Sequence, residues 1–373
     1  MSRVNSAVEA IKSADTITFS ALIDSKDALL LSNIANSLNK ALYCRDCYGY
    51  NSFIDAFASK KSTKIGDSDC VIAFASRFLD NDKALYDEMA LATKSGAEFI
   101  YMHPIEDDRL EDVAQFIKYE PGSEEGVVAL LLELFLRDKK LPQELEEYIE
   151  ELDIGFLSGE SSISEEELEE LLDRVKSKKK VVLVVGSDIF NHEKVENIAR
   201  ILATIQEYSN IELSIAAPHF KAKGVSLISS LIKEPKGNIV KLESLEATLE
   251  EIADSLGVKL RELESSFSSK VLELKDVDEL PSFDGVVIYC VDNLSENSLI
   301  GTKQFSMVAK VSNGDIVEFK VGSKSLKRVF SIDTSLKGTI ALNPTLDMEL
   351  SGFTVSSYRF CKIFINKVGS ANE

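Results

Sequence analysis

Hydrophobic and polar positions in the first part of the chain alternate between strand and helix patterns. Residues 69–75 form a short, continuous apolar run bounded by polar residues, which is typical of a buried parallel strand. Residues 83–94 carry apolar side chains at helical spacing, and the Gly96 that follows is a helix stop. The next strand is predicted at residues 98–102. This strand–helix–strand order predicts a parallel sheet covered by helices, in a first Rossmann-like α/β unit over residues 1–140.

The same order returns after residue 178. Residues 180–185 have the pattern of a buried strand that ends at Gly186 and Ser187, and a helix is predicted to follow. Three further strands are predicted in this block, at residues 212–217, 238–242 and 285–291. We therefore predict a second Rossmann-like parallel-sheet unit over residues 179–300. A glycine after a buried strand suits close backbone approach, but no Gly-x-Gly-x-x-Gly dinucleotide-binding motif accompanies it.

Beyond residue 300 the apolar positions repeat with a period of two. Within residues 316–321, Val317, Phe319 and Val321 alternate with Glu318 and Lys320, which is typical of a half-buried strand. Asn313-Gly314 lies between this stretch and the apolar stretch 307–311, which predicts a hairpin with a type I′ turn. We predict a small β-rich C-terminal region over residues 301–373.

The segment between the two predicted α/β units is strongly acidic. Residues 141–173 contain 13 acidic residues and no Lys or Arg. Two short amphipathic helices are predicted there, separated by residues 155–162, and Ser164 with Glu167 has the spacing of a capping box. We interpret residues 141–178 as a solvated helical connector. A docking surface for a basic partner is the alternative interpretation.

The net charge of the 373-residue chain is −20, and it bears on partners and location. Nucleic-acid partners are excluded, because binding phosphates requires a basic face. No apolar run approaches the roughly 20 residues that cross a bilayer, so direct membrane insertion is not expected. The N-terminal residues lack the apolar core of a signal peptide, which predicts a cytoplasmic protein. Any association with a membrane would then require another protein.

Cysteine and histidine offer little for a metal site. The chain has five cysteines and three histidines, and Cys44 and Cys47 form its one C-x-x-C pair. An iron–sulfur cluster or a structural zinc ion usually takes four protein ligands, and no second pair completes such a site. We interpret Cys44 and Cys47 as a structural pair in a reducing compartment. A redox-active dithiol or a shared ligand at an interface is the alternative, and no metal ion is expected.

A Pro-Gly break precedes a strongly apolar helix. Pro121 favours an extended conformation at Glu120, and Gly122 allows the bend that follows. Ser123 is predicted to cap the helix, with Glu124 in the first turn at its positive end. A helix start of this kind is a candidate contact for a cofactor.

Four passages of the chain resemble motifs of one protein family. Residues 66–77 are similar to the family's ADxxxxxGSNP strand and loop, and residues 95–104 to its GAKxxxxDP strand. Residues 119–124 lie where the family has PGTD, and residues 181–186 resemble the start of its second Rossmann-like half. In this order the motifs resemble the molybdopterin oxidoreductase fold, and more specifically the large G-type iron–sulfur subunit of bacterial respiratory complex I (NADH:quinone oxidoreductase). The fold class that the resemblance implies is α/β, with two Rossmann-like parallel-sheet units.

The resemblance also implies where a cofactor pocket would lie. Catalytic members bind pterin dinucleotides through phosphate-facing loops, and the matching positions here are vestigial pocket candidates: Ser76, Pro104, Gly122, Glu124, Gly186 and Ser187. Departures from the family's pattern indicate that this pocket is dismantled. Three consecutive carboxylates in residues 105–109 would repel a pyrophosphate. The loop over residues 75–78 has lost its glycine, and no metal-ligating side chain lies in a recognisable motif, so no cofactor is expected.

The function expected from these observations is structural. The family's N-terminal iron–sulfur domains have no counterpart here, so the chain is expected to be a cofactor-free subunit or fragment of a complex I peripheral arm, not catalytic by itself. Its partners would be the other hydrophilic subunits, at the inner face of the plasma membrane. Two alternatives stay open. One is a reduced molybdopterin-type oxidoreductase that binds a nucleotide in a deep pocket near Ala75, Pro104, Gly122 and Gly186. The other is a free-standing interaction protein.

Overall fold

The computed structural model describes residues 2–57, 63–217, 222–228, 230–260, 273–292, 294–295, 297–322, 324–345 and 358–370. Two compact units are built from four stretches of chain. Unit 1 combines Met1–Lys61 with Ala217–Leu272, and unit 2 combines Ser62–Ala216 with Glu273–Glu373. Each unit is therefore discontinuous in sequence.

Helices and strands alternate along most of the chain. The strands are β1 Thr16–Thr18, β2 Ala41–Tyr43, β3 Cys70–Phe74, β4 Glu98–Met102, β5 Val113–Ile117, β6 Val181–Val185, β7 Ile211–Ile215, β8 Ile239–Lys241, β9 Val287–Val291, β10 Ser298–Gly301, β11 Asp315–Val321, β12 Lys324–Ile332, β13 Ile340–Pro344, β14 Phe360–Lys362 and β15 Ile365–Ser370. The α-helices are α1 Arg3–Ser13, α2 Ser25–Leu38, α3 Tyr48–Ala56, α4 Phe78–Asn81, α5 Lys83–Lys94, α6 Glu124–Leu136, α7 Gln143–Glu150, α8 Ile154–Ser161, α9 Glu165–Val175, α10 Val195–Tyr208, α11 Ala222–Val225, α12 Leu249–Leu256 and α13 Lys303–Ala309. Within the described ranges, no helix is both long enough and apolar enough to cross a membrane.

Unit 1 is built on a small parallel sheet with the strand order β2-β1-β8. Ile17, at the centre of β1, pairs with Leu42 of β2 and with Val240 of β8. Helix α12 packs against α1 and α2, and the apolar faces of these helices supply much of the core of this unit. Thr248 and Glu251 form a capping box that fixes the start of α12.

Unit 2 contains a five-stranded, fully parallel sheet with the order β5-β4-β3-β6-β7. Every residue of β3 and β6 is buried, as expected for central strands that are covered on both faces. The chain runs outward from β3 to β5 and then returns to form β6 on the other side of β3. The loops after β3 and β6 therefore lie at a topological switch point, where α/β proteins bind ligands beyond the carboxyl ends of their strands.

A seven-stranded mixed sheet completes unit 2, with the order β14-β9-β13-β10-β12-β11-β15. Its two outermost strands, β14 and β15, are joined by Ile363 and Phe364 alone, so the sheet curls on itself. One side of the curled sheet carries an apolar core that includes Phe305, Phe319 and Phe330. On the opposite side, β9 and β13 contribute to a second apolar cluster, together with Ile105 from the loop after β4.

The predicted fold class is confirmed, because the chain forms two parallel sheets with helices and a β-rich C-terminal region. The unit boundaries, however, differ from the predicted 1–140 and 179–300. Strands predicted for one unit are distributed over three sheets: β6 and β7 pair alongside β3, β8 pairs with β1, and β9 lies in the curled sheet. Local apolar patterns predict that a strand forms. Its partner depends on contacts between residues that are far apart in sequence.

The acidic segment 141–178 lies within unit 2. It contains three helices instead of two, because α8 occupies most of the predicted break at 155–162. Two glycines favour a break there, but Leu157 of α8 is fully buried and α8 packs against α6, so tertiary packing overrides local propensity. The capping box of Ser164 and Glu167 at the start of α9 is confirmed.

The hairpin predicted at Asn313-Gly314 is wrong, because residues 307–309 belong to helix α13. Thr302 starts this helix by accepting a hydrogen bond from the backbone N–H of Phe305 over 2.9 Å. Phe305 and Ala309 are four residues apart, so both lie on the helix face that enters the apolar core. The hairpin of this region joins β11 to β12 instead, and Gly322 in its turn has a φ of 57°.

Candidate functional site

The loops that follow β3 and β6 touch each other at the carboxyl ends of the five-stranded sheet. The backbone N–H of Asp188 donates to the carbonyl oxygen of Ala75 over 3.2 Å. A Cβ on Gly186 would lie 2.2 Å from Ser76 Cβ and 2.4 Å from the carbonyl oxygen of Ala75. Ala75 has a φ of 59°, a left-handed conformation that is strained for a residue with a side chain. This contact requires glycine at position 186 and brings the predicted pocket residues Ser76 and Ser187 together.

The carboxylate of Asp82 accepts hydrogen bonds from polar groups of both loops. Its Oδ2 accepts hydrogen bonds from Ser76 Oγ over 2.5 Å and from Ser187 Oγ over 2.9 Å. The backbone N–H of Ser187 also donates to this oxygen, over 3.1 Å. Burial raises the pKa of Asp82, and these hydrogen bonds oppose that shift. Hydroxyl and N–H donors at such strand ends are the groups that bind phosphates in other α/β proteins. Here their hydrogen bonds are accepted by the carboxylate of Asp82.

Asp188, one residue further on, is the centre of a buried ion-pair network. It is 2% exposed, with His103 Nε2 at 3.2 Å from its Oδ2 and the hydroxyl of Tyr289 donating to the same oxygen over 2.6 Å. Arg359 Nε lies 3.0 Å from Asp188 Oδ1, and Arg359 Nη2 lies 3.4 Å from Asp292 Oδ2. The contact between Arg359 and Asp188 is an ion pair without an aligned hydrogen bond, since neither of the two atoms has a hydrogen-bond partner.

Arg359 supplies the positive charge of this network from the residue just before β14. Burial alone would lower the pKa of its guanidinium, but the charges of Asp188 and Asp292 outweigh burial and hold the pKa above its usual value. Arg359 is therefore a fixed cation at the strand ends. Its charge faces carboxylates of the same chain.

The three carboxylates after β4 were expected to repel a pyrophosphate, and the structure shows that each of them has a cationic partner. Asp107 lies 2.6 Å from Arg109 and 3.3 Å from Arg77, and these charges lower its pKa although burial acts to raise it. Glu106 and Asp108 lie 3.0 Å and 3.2 Å from Lys337 Nζ. The repulsion predicted from the sequence is therefore largely neutralised by the chain itself.

The Pro-Gly break before α6 contacts Tyr358, the residue that precedes Arg359. Gly122 has a φ of 85°, and its backbone N–H donates to the hydroxyl of Tyr358 over 2.9 Å. A Cβ at this position would lie 2.6 Å from the ring of Phe283, so the close approach also requires glycine. The predicted cap at Ser123 is wrong. Its hydroxyl donates backwards to the carbonyl oxygen of Glu120 over 2.7 Å, because the turn before the helix brings that acceptor close.

Glu124, in the first turn of α6, is completely buried. The hydroxyl of Tyr358 donates to its Oε1 over 2.5 Å. His192 Nε2 lies 3.4 Å from Oε2, but this ring nitrogen is hydrogen-bonded to the carbonyl oxygen of Gly122 over 3.0 Å. Glu124 Oε2 has no hydrogen-bond partner. The carboxyl group is therefore supported on one side only.

Burial acts on Glu124 and His192 in opposite directions. It raises the pKa of Glu124 to about 7, and it lowers the pKa of His192 to about 4. Between these two values both groups are mostly neutral. The separation of 3.4 Å would suit an ion pair, but in this pH range most molecules carry no charge on either group. We regard it as a contact between two neutral groups.

A cavity of about 340 Å³ lies in unit 2, next to the ends of β4 and β5. Apolar side chains such as Phe116, Phe283 and Ile340 line it, together with charged residues of both signs. Of the six pocket candidates from the sequence, only Pro104 contributes to this cavity. Ser76, Gly186 and Ser187 instead form the contact around Asp82, and Gly122 with Glu124 forms the contact around Tyr358.

Cys44 and Cys47 lie in unit 1, and both are buried in its apolar core. Burial raises the pKa of the Cys47 thiol well above its usual value. A thiol in this state is a poor nucleophile and a poor metal ligand, which favours the structural interpretation of the pair. Across the described residues, no three His, Cys, Asp or Glu side chains are grouped so that they could hold a metal ion.

Sequence reasoning missed the side chains that complete the site: Asp82, His103, Tyr289, Tyr358 and Arg359. Each of them contacts a loop far away in sequence, so local patterns could not place it. One signal was available. Arg359 is a single charge between Tyr358 and the apolar start of β14, and a charged side chain that becomes buried needs a partner.

Neither a protein-family model nor a curated protein matches the sequence. Among solved structures, acetylene hydratase from Pelobacter acetylenicus matches 95% of this chain and 84% of its own length, with a TM-score of 0.53 and 8% identity. The formyltransferase/hydrolase complex from Methylorubrum extorquens, solved with methylofuran, matches 57% of each chain with a TM-score of 0.37 and 16% identity, too weak a similarity to carry an argument.

The match to acetylene hydratase shows a shared fold and nothing about activity. Together with the two parallel sheets and the curled sheet, it shows that the chain has a mixed α/β fold of the molybdopterin oxidoreductase type. The similarity extends over nearly the whole chain, so it includes both units and the curled sheet.

Proposed function

We propose that this chain is a cofactor-free structural subunit of a complex I-like NADH:quinone oxidoreductase. In this role it packs among the hydrophilic subunits of the peripheral arm and supports electron transfer that those partners carry out. The observation that carries the proposal is the occupied crevice at the carboxyl ends of the parallel sheet. The groups that could contact a ligand there are bound by the chain itself. Asp82 accepts from Ser187, Tyr358 accepts from the Gly122 N–H, and Arg359 pairs with Asp188.

The residues present do not fit a pterin dinucleotide. A pyrophosphate needs free hydroxyl or N–H donors, and those of Ser76 and Ser187 are taken by Asp82. It also needs a cation that faces it, and Arg359 is held by Asp188. Admitting the anion would expose these carboxylates to it in a low-dielectric site, where repulsion between like charges is strong. A molybdopterin oxidoreductase-like fold whose loops are engaged in this way supports a cofactor-free role.

Placement in complex I rests on the order of the sequence motifs. The passages at residues 66–77, 95–104, 119–124 and 181–186 follow one another as they do in the G-type subunit. A subunit of this arm is expected in the cytoplasm, held at the inner face of the plasma membrane by its partners. The acidic helices α7 and α9 would then be solvated surface or a contact for a basic neighbour.

Co-purification from the native organism tests the proposal. The chain is tagged at its chromosomal locus, membranes are extracted with a mild detergent, and co-purifying proteins are quantified by mass spectrometry. We expect the cluster-bearing hydrophilic subunits of complex I in near-equal amounts to the tagged chain. An unrelated acidic protein with the same tag serves as the control. Recovery of the tagged chain without any respiratory subunit would refute the proposal.

A second measurement addresses the enzyme alternative. The purified chain is assayed for molybdenum and tungsten by elemental analysis, and for pterins by fluorescence after oxidation. We expect amounts far below one per chain. A stoichiometric pterin would contradict the cofactor-free part of the proposal and favour a reduced oxidoreductase.

A further inference from the structure

Considering the described residues alone, half of the curled sheet has an uncovered face. On the side of Tyr289 and Leu342, β9 and β13 pack in an apolar cluster with Ile105. The same side of β12, β11 and β15 has no such cover among the described residues. The pairing of β11 with β12 places Ile316, Lys320, Lys327 and Val329 on this side. Together with Phe364, we call them the outer sheet face.

Strand register and the alternation of side chains place these five residues on one side. Ile316 pairs with Val329, and the neighbour of Val329, Phe330, points into the apolar core on the other side. Phe364 lies between Ile363 and Ile365, both of which pack against that core, so alternation directs Phe364 outward. Lys320 and Lys327 occupy the same alternate positions as Ile316 and Val329.

The exposure of this face is unusual for its apolar members. Phe364 is 87% exposed, the highest value among the large apolar side chains of the described residues, and Val329 is 37% exposed. Of the eight exposed large apolar residues in the part of the chain that the structure describes, five lie in the segment 298–370. Exposing a phenylalanine to water is unfavourable, and burying it against a partner would be favourable. Aromatic residues are also enriched in the cores of interfaces.

The charge of this region is opposite to that of the rest of the chain. Residues 298–370 carry ten Lys and Arg and five Asp and Glu, although the whole chain has a net charge of −20. On the outer sheet face, Lys320 lies opposite Ser325 in the strand register, and Lys327 lies opposite Glu318. Glu318 also lies on this face, where it accepts a hydrogen bond from Ser325. The face therefore carries two lysines against one glutamate beside the exposed apolar side chains.

From this combination we infer that the outer sheet face is a docking surface for an acidic surface of another protein. Phe364 and Val329 are buried by the partner, while Lys320 and Lys327 face its carboxylates and set the orientation. The partner's identity as a complex I subunit rests on the proposed function. The chemistry of the surface does not.

The edge strand itself is a poor site for adding a partner strand. The register between β11 and β15 shifts near Ile316 and Val317, which marks a bulge or irregularity in the ladder. Bulges and edge lysines such as Lys367 hinder strand addition. The face of the sheet, not its edge, is therefore the contact that we assign. A nucleic acid or an anionic membrane is disfavoured, because the remainder of the chain is strongly negative.

Site-specific photo-cross-linking tests the inference in the native organism. Phe364 is replaced by p-benzoylphenylalanine in the tagged, full-length chain, cells are irradiated, and the cross-linked peptides are sequenced. Leu91, which is 64% exposed on α5, carries the same probe as a positional control. We expect the probe at position 364 to join an acidic segment of one other protein, with a yield well above that at position 91.

Charge reversal supplies the second arm. The double variant K320E/K327E should lower the cross-link yield from position 364 roughly tenfold, as expected when two close charge contacts become repulsive. K139E/K140E changes the net charge equally at exposed positions elsewhere and should leave the yield unchanged. Circular dichroism of both variants checks that the fold is retained.

Several outcomes would overturn the docking surface. They are cross-links to the chain's own residues, to a second copy or to lipid, a yield no higher than at position 91, and insensitivity to K320E/K327E. The test separates this inference from the proposed function. An acidic partner outside the respiratory chain would leave the docking surface standing and remove the complex I assignment. Co-purified complex I subunits with no cross-link from position 364 would support the complex I assignment and remove the docking surface.

Discussion

Asp188 and Glu124 are two buried carboxyl groups that follow strands of the same parallel sheet, and the chain stabilises them differently. Asp188 has a guanidinium, an imidazole and a phenol around it. Glu124 has one hydroxyl on Oε1, and its other oxygen has no hydrogen-bond partner. Burial raises the pKa of Glu124 to about 7, so near neutral pH it is protonated in a substantial fraction of molecules.

The difference teaches how an empty ligand site can be closed. Consecutive residues, Tyr358 and Arg359, reach the two carboxyl groups, and each offers a different chemistry. Arg359 neutralises Asp188 by charge, whereas Tyr358 leaves Glu124 to be neutralised by a proton. The first arrangement should depend strongly on the side chain that provides the charge, and the second should depend strongly on pH.

The largest expected effect comes from removing the cation. Arg359→Met leaves Asp188 buried without a positive partner, and breaking a buried pair in this way costs about 3–5 kcal/mol of unfolding free energy. Urea unfolding followed by circular dichroism measures the loss. The double variant with Asp188→Asn should recover much of it, because the most deeply buried carboxylate that Arg359 contacts is then replaced by a neutral group.

Lys83→Met is the control for that measurement. Lys83 pairs with Asp87 on the surface, where both side chains are 59% exposed, so its loss should change the stability by at most about 1 kcal/mol. Equal effects of the two substitutions would contradict the central role of the Arg359–Asp188 pair.

The second prediction concerns Glu124 and pH. Its folded pKa of about 7 lies above the usual 4.5, so ionisation favours the unfolded chain as pH rises from about 4.5 to 7. Glu124→Gln removes this cost, so the variant should gain about 3 kcal/mol relative to the wild type above pH 7 and nearly nothing below pH 4.5. Unfolding free energies between pH 4 and 8 measure the difference.

His192 must be separated from this profile. Its pKa is lowered to about 4, so its contribution to stability is lost as pH falls from about 6.5 to 4, in the wild type and the variant alike. The difference between the two proteins therefore isolates Glu124. A difference that does not change with pH would show that the Glu124 carboxyl is not protonated by burial.

The sequence predicts much of this framework and little of the site's chemistry. The strands at residues 70–74 and 98–102 and the capping box of Ser164 follow from local patterns, because propensity and capping act within a few residues. Their resemblance to family motifs predicts that the loops with Ser76 and Gly186 lie at a pocket. What fills that pocket, Arg359 and Tyr358, comes from the far end of the chain, and no local pattern reports a contact over more than 150 residues.

Disrupting the contact between the loops after β3 and β6 should disturb the surroundings of Asp188 and leave those of Glu124 unchanged. Gly186→Ala places a methyl group 2.2 Å from Ser76 Cβ and 2.4 Å from a carbonyl oxygen, so the loop that carries Asp188 must move, at a cost of about 1–3 kcal/mol. Gly159→Ala is the matched control. Gly159 lies within α8 with nothing within 4 Å of an added Cβ, so alanine there should stabilise the protein by about 0.5–1 kcal/mol. Losses of similar size at both positions would contradict the assigned packing.

The smallest expected effect tests the Glu124 side. Tyr358→Phe removes the hydroxyl that accepts from the Gly122 N–H and donates to Glu124, which should cost about 1–2 kcal/mol. Because that hydrogen bond lowers the pKa of Glu124, its loss should also move the pH-dependent change in stability to higher pH. A double-mutant cycle with Glu124→Gln measures the coupling, and we expect it to be clear at pH 8 and weak at pH 4.5. Coupling that is equal at both pH values would mean that Tyr358 supports α6 by packing alone. It would also contradict the comparison, in which a proton neutralises Glu124 as the cation of Arg359 neutralises Asp188.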